Sequence, residues 1–347
     1  MNKKQKITMI RILLFLGTVI SLYFVPWPIV RAWITPLPKT VQLQVDKTKG
    51  YGFDGIIVYV DEEGKQPAFY TAGYKNRETK ESATPNTLFK IASVGKLYTA
   101  VAIAKLHYQG LISLDKSLAF YFPELKGRIQ YADTITIKML VSHRSGIPNF
   151  TATQNYWMNP KQNNSEKLDL ILDLPANFIP DTSYEYCNTN YVLLSELIER
   201  VTNVSEFEYI KSEILKKLHL KNTFSSINQV NLNDVMSGYY VGYESDLKSV
   251  EVDGILTTAE DLAKFIRALN NGTIFTNNAE QEIYNSIYKY EHTGLIPGYQ
   301  TIAKYHNDID AVVIQFTNTV DFDGYNWTLS EIGYQRIIKI LKRNHKL

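Results

Sequence analysis

Phe89-Lys90-Ile91-Ala92-Ser93-Val94-Gly95-Lys96 leads into an apolar run that carries Leu97, Val101 and Ala104 to His107. Its spacing predicts a helix over 93–107. A serine in the first turn and a lysine three residues on share one face, so the ammonium reaches the hydroxyl. The helix N-terminus adds partial positive charge, which favours developing negative charge. A base within hydrogen-bonding reach and an electropositive backbone end are what an activated serine needs. S-x-x-K is a short pattern, however, and alone it reads as a capped helix with a solvated lysine. Two other chemistries are excluded. Lys90 stands where a P-loop needs its first glycine, and Leu97 where it needs serine or threonine. No G-x-S-x-G nucleophile elbow occurs either.

Two further triplets stand downstream. Tyr186-Cys187-Asn188 precedes an apolar stripe of Leu193, Leu194, Leu197, Ile198 and Val201, which predicts a helix over 190–201 ending at Asn203. A tyrosine there can share a proton with a serine and a lysine, and an asparagine two residues on can hydrogen-bond a substrate amide. His292-Thr293-Gly294 follows Tyr288 to Glu291 and precedes Leu295-Ile296-Pro297-Gly298. On a strand edge its glycine permits close approach of a ligand to the backbone. Each triplet alone reads as a turn. Their order and spacing together carry the argument.

The three elements resemble the serine β-lactamase-like, penicillin-recognising family, in the branch of class C β-lactamases, D-Ala-D-Ala carboxypeptidases and related esterases. Supporting segments are similar too: Leu114-Asp115-Lys116, Tyr121-Phe122-Pro123-Glu124, Leu140 to Pro148 (LVSHRSGIP), Tyr186 to Leu194, and Thr257 to Leu262. The resemblance runs from about residue 52 to about 320. It implies a β-lactamase/transpeptidase-like fold without a cofactor, acting on a small acyl substrate such as a peptidoglycan stem peptide, a β-lactam or an ester. It also implies roles. Ser93 would be the nucleophile that becomes an acyl-enzyme, and Lys96 and Tyr186 would move its proton. Asn188 would bind the substrate amide, and His292, Thr293 and Gly294 would line the opposite strand. The N–H groups of Ser93 and Leu295 would form the oxyanion hole. The sequence departs from the pattern at three places. His292 stands where many relatives carry lysine, which puts the grip on a substrate carboxylate in doubt. Cys187 replaces a small residue, and Ser195 stands where glycine is common. No second glutamate is assigned as a deacylating base. His143 is expected to brace a loop, and Tyr325 and Trp327 to serve packing.

Read for organisation, the body begins and ends in strands. Residues 54–60 and 67–73, around Glu62-Glu63-Gly64-Lys65, predict one hairpin; 301–305 and 309–317, around His306-Asn307-Asp308, predict another. A helix is expected over 329–341, and Thr258 to Asp261 reads as a capping-box start for a helix stopped at Asn271-Gly272. A mostly helical insertion, about 111–240, lies between. This is an α+β architecture with an antiparallel sheet assembled from N- and C-terminal pieces.

With 347 residues, 45% of them hydrophobic, the chain can build a large core. Its formal charge is +2, yet the first 35 residues hold five basic side chains (Lys3, Lys4, Lys6, Arg11, Arg31) and no acidic one. The rest has 37 − 5 = 32 basic against 35 acidic residues, or −3. Nucleic-acid binding is therefore not expected, because phosphate neutralisation needs clustered cations. Residues 12–25 (ILLFLGTVISLYFV) are apolar and followed by a Trp/Pro-rich stretch. With basic residues before it, residues 1–35 are expected to form an uncleaved signal-anchor that holds the body outside the cytoplasm, in the periplasm or at the cell surface. A cleaved signal would instead give a secreted protein. Residues 36–50 read as a tether, and 51–347 as the hydrolase domain. The single Cys187 and six scattered histidines offer no metal-binding pattern.

Overall fold

The computed structural model describes residues 3–251 and 254–345. Three helices come first: α1 (Lys3–Tyr23), α2 (Trp27–Ile34) and α3 (Val41–Lys49). Strands β1 (Gly55–Glu62), β2 (Ala68–Gly73) and β3 (Phe89–Lys90) lead to α4 (Lys96–Tyr108). The helical region holds α5 (Leu118–Tyr121), α6 (Ile137–Val141), α7 (Asn164–Asp169), α8 (Asn188–Thr202) and α9 (Glu206–Ile210). Short strands β4 (Thr223–Phe224), β5 (Tyr239–Tyr240) and β6 (Leu256–Thr257) precede α10 (Ala259–Asn270) and α11 (Asn278–Asn285). The chain closes with β7 (His292–Ile296), β8 (Tyr299–His306), β9 (Ala311–Thr317), β10 (Thr319–Val320) and α12 (Asn326–His345).

The main sheet runs β2-β1-β9-β8-β7, antiparallel throughout, and the β1–β9 pairing joins the two ends of the chain (Tyr59 opposite Ile314). Both faces are buried, which the two-residue period of the strands divides between two cores. Ile57, Tyr59, Ile314 and Phe316 face the core built around α4 and α10. Ile56, Val58, Val60 and Val313 face the one built with α3 and α12. Every residue of α4 from Leu97 to Leu106 is buried, as in a helix that is apolar on all sides and lies inside the molecule. The C-terminal end of α8 matches expectation: Asn203 takes the left-handed conformation that ends the helix, at φ 57°. At α10 the capping box is half made. Thr258 accepts the Asp261 N–H, but the Asp261 carboxylate turns across to the Asn222 N–H, 2.7 Å away.

The expected tether is not one. Thr40 caps α3 by accepting the Leu43 N–H, and Val41, Gln44, Val45 and Thr48 form a buried stripe at helical spacing. Half of that stripe is polar, so hydropathy alone hides it. Its polar members are satisfied inside the fold: Arg336 on α12 donates to Gln44 Oε1 (2.8 Å) and to the Pro36 carbonyl (2.9 Å). The folded body therefore includes residues assigned to the linker. α1, by contrast, is fully exposed, and it is long and apolar enough to cross a membrane.

Arg336→Ala leaves the buried Gln44 Oε1 without its donor and frees the Pro36 carbonyl, and is expected to lower stability by about 2 kcal/mol. Urea unfolding followed by circular dichroism measures the shift; an unchanged midpoint would show that α3 docks without this bridge.

Candidate active site

Ser93 does not sit in an α-helix. Residues Ala92–Gly95 form a 3₁₀ turn, and α4 begins at Lys96. The relation expected from i, i+3 spacing survives, since Lys96 Nζ donates to Ser93 Oγ at 3.3 Å. Ala92, immediately before the serine, holds φ +50°, a left-handed conformation that costs a residue with a side chain of order 1–3 kcal/mol. Its surroundings hold it there. Lys90 and Phe89 pair with β6, Ile91 N–H donates to the Ile255 carbonyl, and buried Lys90 ties the 247–250 loop through the Leu247 and Val250 carbonyls.

β7 presses against this segment. A Cβ on Gly294 would lie 2.2 Å from the Ile91 carbonyl oxygen. The missing side chain thus admits the strand preceding the serine, where the sequence reading had it admit a ligand. The consequence is that Thr293 and Leu295 flank the Ser93 turn and line the same cavity as the serine.

The Lys96 ammonium has a second acceptor, Asn188 Oδ1, at 2.8 Å. Asn188 in turn donates from Nδ2 to Thr151 Oγ1. Lys96 also lies 5.0 Å from the centre of the Tyr186 ring, over its face, and 5.2 Å from that of Tyr191. Tyr186 contributes its ring to the lysine; its buried hydroxyl has no hydrogen-bond partner among the described residues.

His143 fixes the Tyr186 backbone from both sides. Its carbonyl accepts the Glu185 N–H, its Nδ1 accepts the Cys187 N–H at 3.1 Å, and its ring lies 4.5 Å from that of Tyr186. Ser145 Oγ donates to Asn190 Oδ1, and Thr189 Oγ1 donates to the Pro148 carbonyl, so residues 143–150 lace the start of α8. Gly146 is required here: at φ 74° a Cβ would meet the Phe178 carbonyl at 2.2 Å.

Ser93, Lys96, Tyr186, Asn188, His292, Thr293 and Leu295 therefore line one cavity of about 770 Å³. A family model described as Beta-lactamase matches residues 30–287. The chain belongs to the Beta-lactamase family. That match takes in the 36–50 segment and the serine, lysine, tyrosine and asparagine, and stops short of β7. Protein flp of Staphylococcus aureus (strain N315) is 31% identical over 218 residues, 60% of this chain and 43% of that protein. Penicillin-binding protein 4* of Bacillus subtilis (strain 168) is 24% identical over 296 residues, 72% of this chain and 64% of its own length. The alignments thus span less than two thirds of either relative. Among solved structures, D-amino acid amidase from Ochrobactrum anthropi SV3, complexed with D-phenylalanine, superposes with a TM-score of 0.78 at 21% identity. The match covers 88% of this chain and 98% of that one. The penicillin binding protein from Bacillus halodurans gives 0.71 at 20% identity over 86% and 98%. These two likenesses show the fold.

Against that family background, three features of the cavity stand out. His292 is buried, and burial together with nearby Lys289 and Lys96 lowers its pKa to about 3, so it carries no charge near neutrality. Its Nε2 meets Tyr288 Oη at 2.9 Å. Trp327, expected to serve packing, lines the cavity as well as resting on the second core. Glu206 also lines it, accepting from Thr99 Oγ1 at 2.5 Å. The sequence reading passed over Glu206 because Ser205-Glu206 looks like any capped helix start, where an acidic residue is ordinary; Ser205 does cap α9.

His143 is lowered to about 3 in the same way as His292, first by burial and then by Lys96 and His292. Between about pH 6.5 and 3 the unfolded chain takes up protons at these histidines that the native state refuses. Their contribution to stability is complete above about pH 6.5 and is lost progressively as pH falls. The urea midpoint is expected to be lower at pH 5 than at pH 7.5, with a smaller loss in His292→Asn. An equal loss in that variant would assign the acid sensitivity elsewhere.

Proposed function

We propose that this chain is a membrane-tethered, extracytoplasmic serine hydrolase that works through an acyl-enzyme on Ser93. The observation that carries the reading is the Lys96 ammonium held between Ser93 Oγ and Asn188 Oδ1 inside a cavity. Ser93 Oγ attacks the substrate carbonyl carbon, the bond to the leaving group breaks, and water later releases the acyl group. The serine proton passes to the leaving group through Lys96, which touches Ser93 Oγ, or through Tyr186, whose ring lies beside the Lys96 ammonium. Asn188, which Thr151 orients, offers its amide to the substrate. Leu295 adjoins Ile296, which pairs with Tyr299 across the two-residue turn Pro297-Gly298. Antiparallel alternation then directs the Leu295 N–H away from β8, toward the side of Ser93, where the two N–H groups meet a developing oxyanion.

The substrate class we favour is the D-Ala-D-Ala peptide of the cell wall. Support comes from Lys3, Lys4 and Lys6 at the N-terminal end of α1, ahead of its apolar stretch, which favour an outward-facing body, and from the family. A second reading, a hydrolase of small or D-alanyl esters, is favoured by His292. A neutral imidazole supplies no charge for a terminal carboxylate, which leaves the exposed Lys289 at the cavity rim as the cation on that side.

Initial rates with a D-Ala-D-Ala peptide, a chromogenic ester and a penicillin separate these readings. Turnover of the peptide is expected, with Ser93→Ala lowering kcat by about four orders of magnitude. Ester turnover alone would replace the peptidase with the esterase. Full activity in Ser93→Ala would overturn the mechanism.

A further inference from the structure

Glu206 is a carboxylate in the cavity that the acyl-transfer chemistry does not use. It stands at the start of α9, and three elements define its place. From α4, Thr99 donates to it at 2.5 Å. From α8, Ser195 lines the cavity with it, at the position where the family resemblance has glycine. From α9 itself, Phe207 and Ile210 line the cavity beside it. Burial raises its pKa above the ordinary carboxylate range, while the Thr99 hydroxyl and the more distant Lys96 favour the charged form.

The cavity lining carries the cations Lys96, Lys161 and Lys289, and from α8 and α9 the carboxylates of Glu199 and Glu206. Ser93, Lys96 and Thr99 follow one another at successive turns, so Thr99 lies roughly 10 Å along the axis from the serine, at about 2.0 Å per residue in the 3₁₀ turn and 1.5 Å in α4. Lys96 already has two acceptors in Ser93 and Asn188. A carboxylate held by the Thr99 hydroxyl in a partly desolvated wall pairs strongly with a cation, because water competes poorly there. The apolar side chains of Phe207 and Ile210 leave room for the methylene chain that would carry such a cation.

We propose that Glu206, held by Thr99, forms a subsite for a primary ammonium carried on the acyl part of the substrate, four to six bonds from the scissile carbonyl. The proposal rests on Ser93 being the nucleophile. It narrows the substrate class to acyl donors with a basic side chain, and it gives Ser195, which lines the same wall, a place beside the carboxylate.

The test compares p-nitrophenyl 6-aminohexanoate with the neutral p-nitrophenyl heptanoate on the full-length protein in detergent. The wild type is expected to prefer the ammonium ester by about tenfold or more in kcat/KM, the scale of one charge-assisted hydrogen bond. Glu206→Gln is expected to abolish the preference while leaving heptanoate turnover within about threefold of the wild type. Absence of the preference in the wild type overturns the proposal. An equal fall for both esters in Glu206→Gln also overturns it and makes Glu206 a counter-ion of Lys96. If neither ester is turned over, the esterase reading fails separately, the Ser93 chemistry is judged on the D-Ala-D-Ala peptide, and calorimetric titration with hexylammonium decides the subsite. Binding by the wild type that Glu206→Gln loses supports it; equal or absent binding refutes it.

Discussion

Lys96 extends its ammonium from the first turn of α4 to two acceptors, Ser93 Oγ and Asn188 Oδ1, which come from different parts of the molecule. The serine belongs to a strained turn that β6 and β7 press into place. The asparagine opens α8 in the helical region and is braced by residues 149–151. The lysine can bridge them because its helix is buried on every side between sheet and helices. Helix position, strand approach and loop bracing are thus coupled through one side chain. A shift in any of them would change the distance between Ser93 and Lys96.

That coupling explains which parts were legible in the sequence. The i, i+3 relation of Ser93 and Lys96 is local, and either a 3₁₀ turn or an α-helix delivers it, so the error in helix start did no harm. The hairpins around 62–65 and 306–308 were legible because turn residues separate alternating apolar strands. α3 was not legible, because its buried stripe mixes Val41 and Val45 with Gln44 and Thr48, whose partners lie on α12. Nor was the purpose of Gly294, which depends on Ile91, some 200 residues earlier in the chain. Glu206 was hidden for the opposite reason: its local context was ordinary, and only packing against Thr99 and Ser195 makes it unusual.

The electrostatics of the site follow from the same arrangement. Two histidines, His143 and His292, are kept neutral by burial beside cationic neighbours. As a neutral ring, His143 accepts the Cys187 N–H and packs, tilted, against Tyr186 without placing another positive charge beside Lys96. Neutral His292 makes the wall opposite Lys96 less cationic than a lysine would. The negative charge of the cavity lies instead on its α8–α9 side. The overall charge of +2 says nothing of this layout, which is set by a few side chains in a body of charge −3 and five basic residues near α1.

The most direct measurement is mass spectrometry of the protein quenched during reaction with a labelled penicillin, followed by peptide mapping. The account predicts one acyl adduct, on Ser93, that is absent from Ser93→Ala. An adduct on another residue, or one that persists in Ser93→Ala, would contradict it.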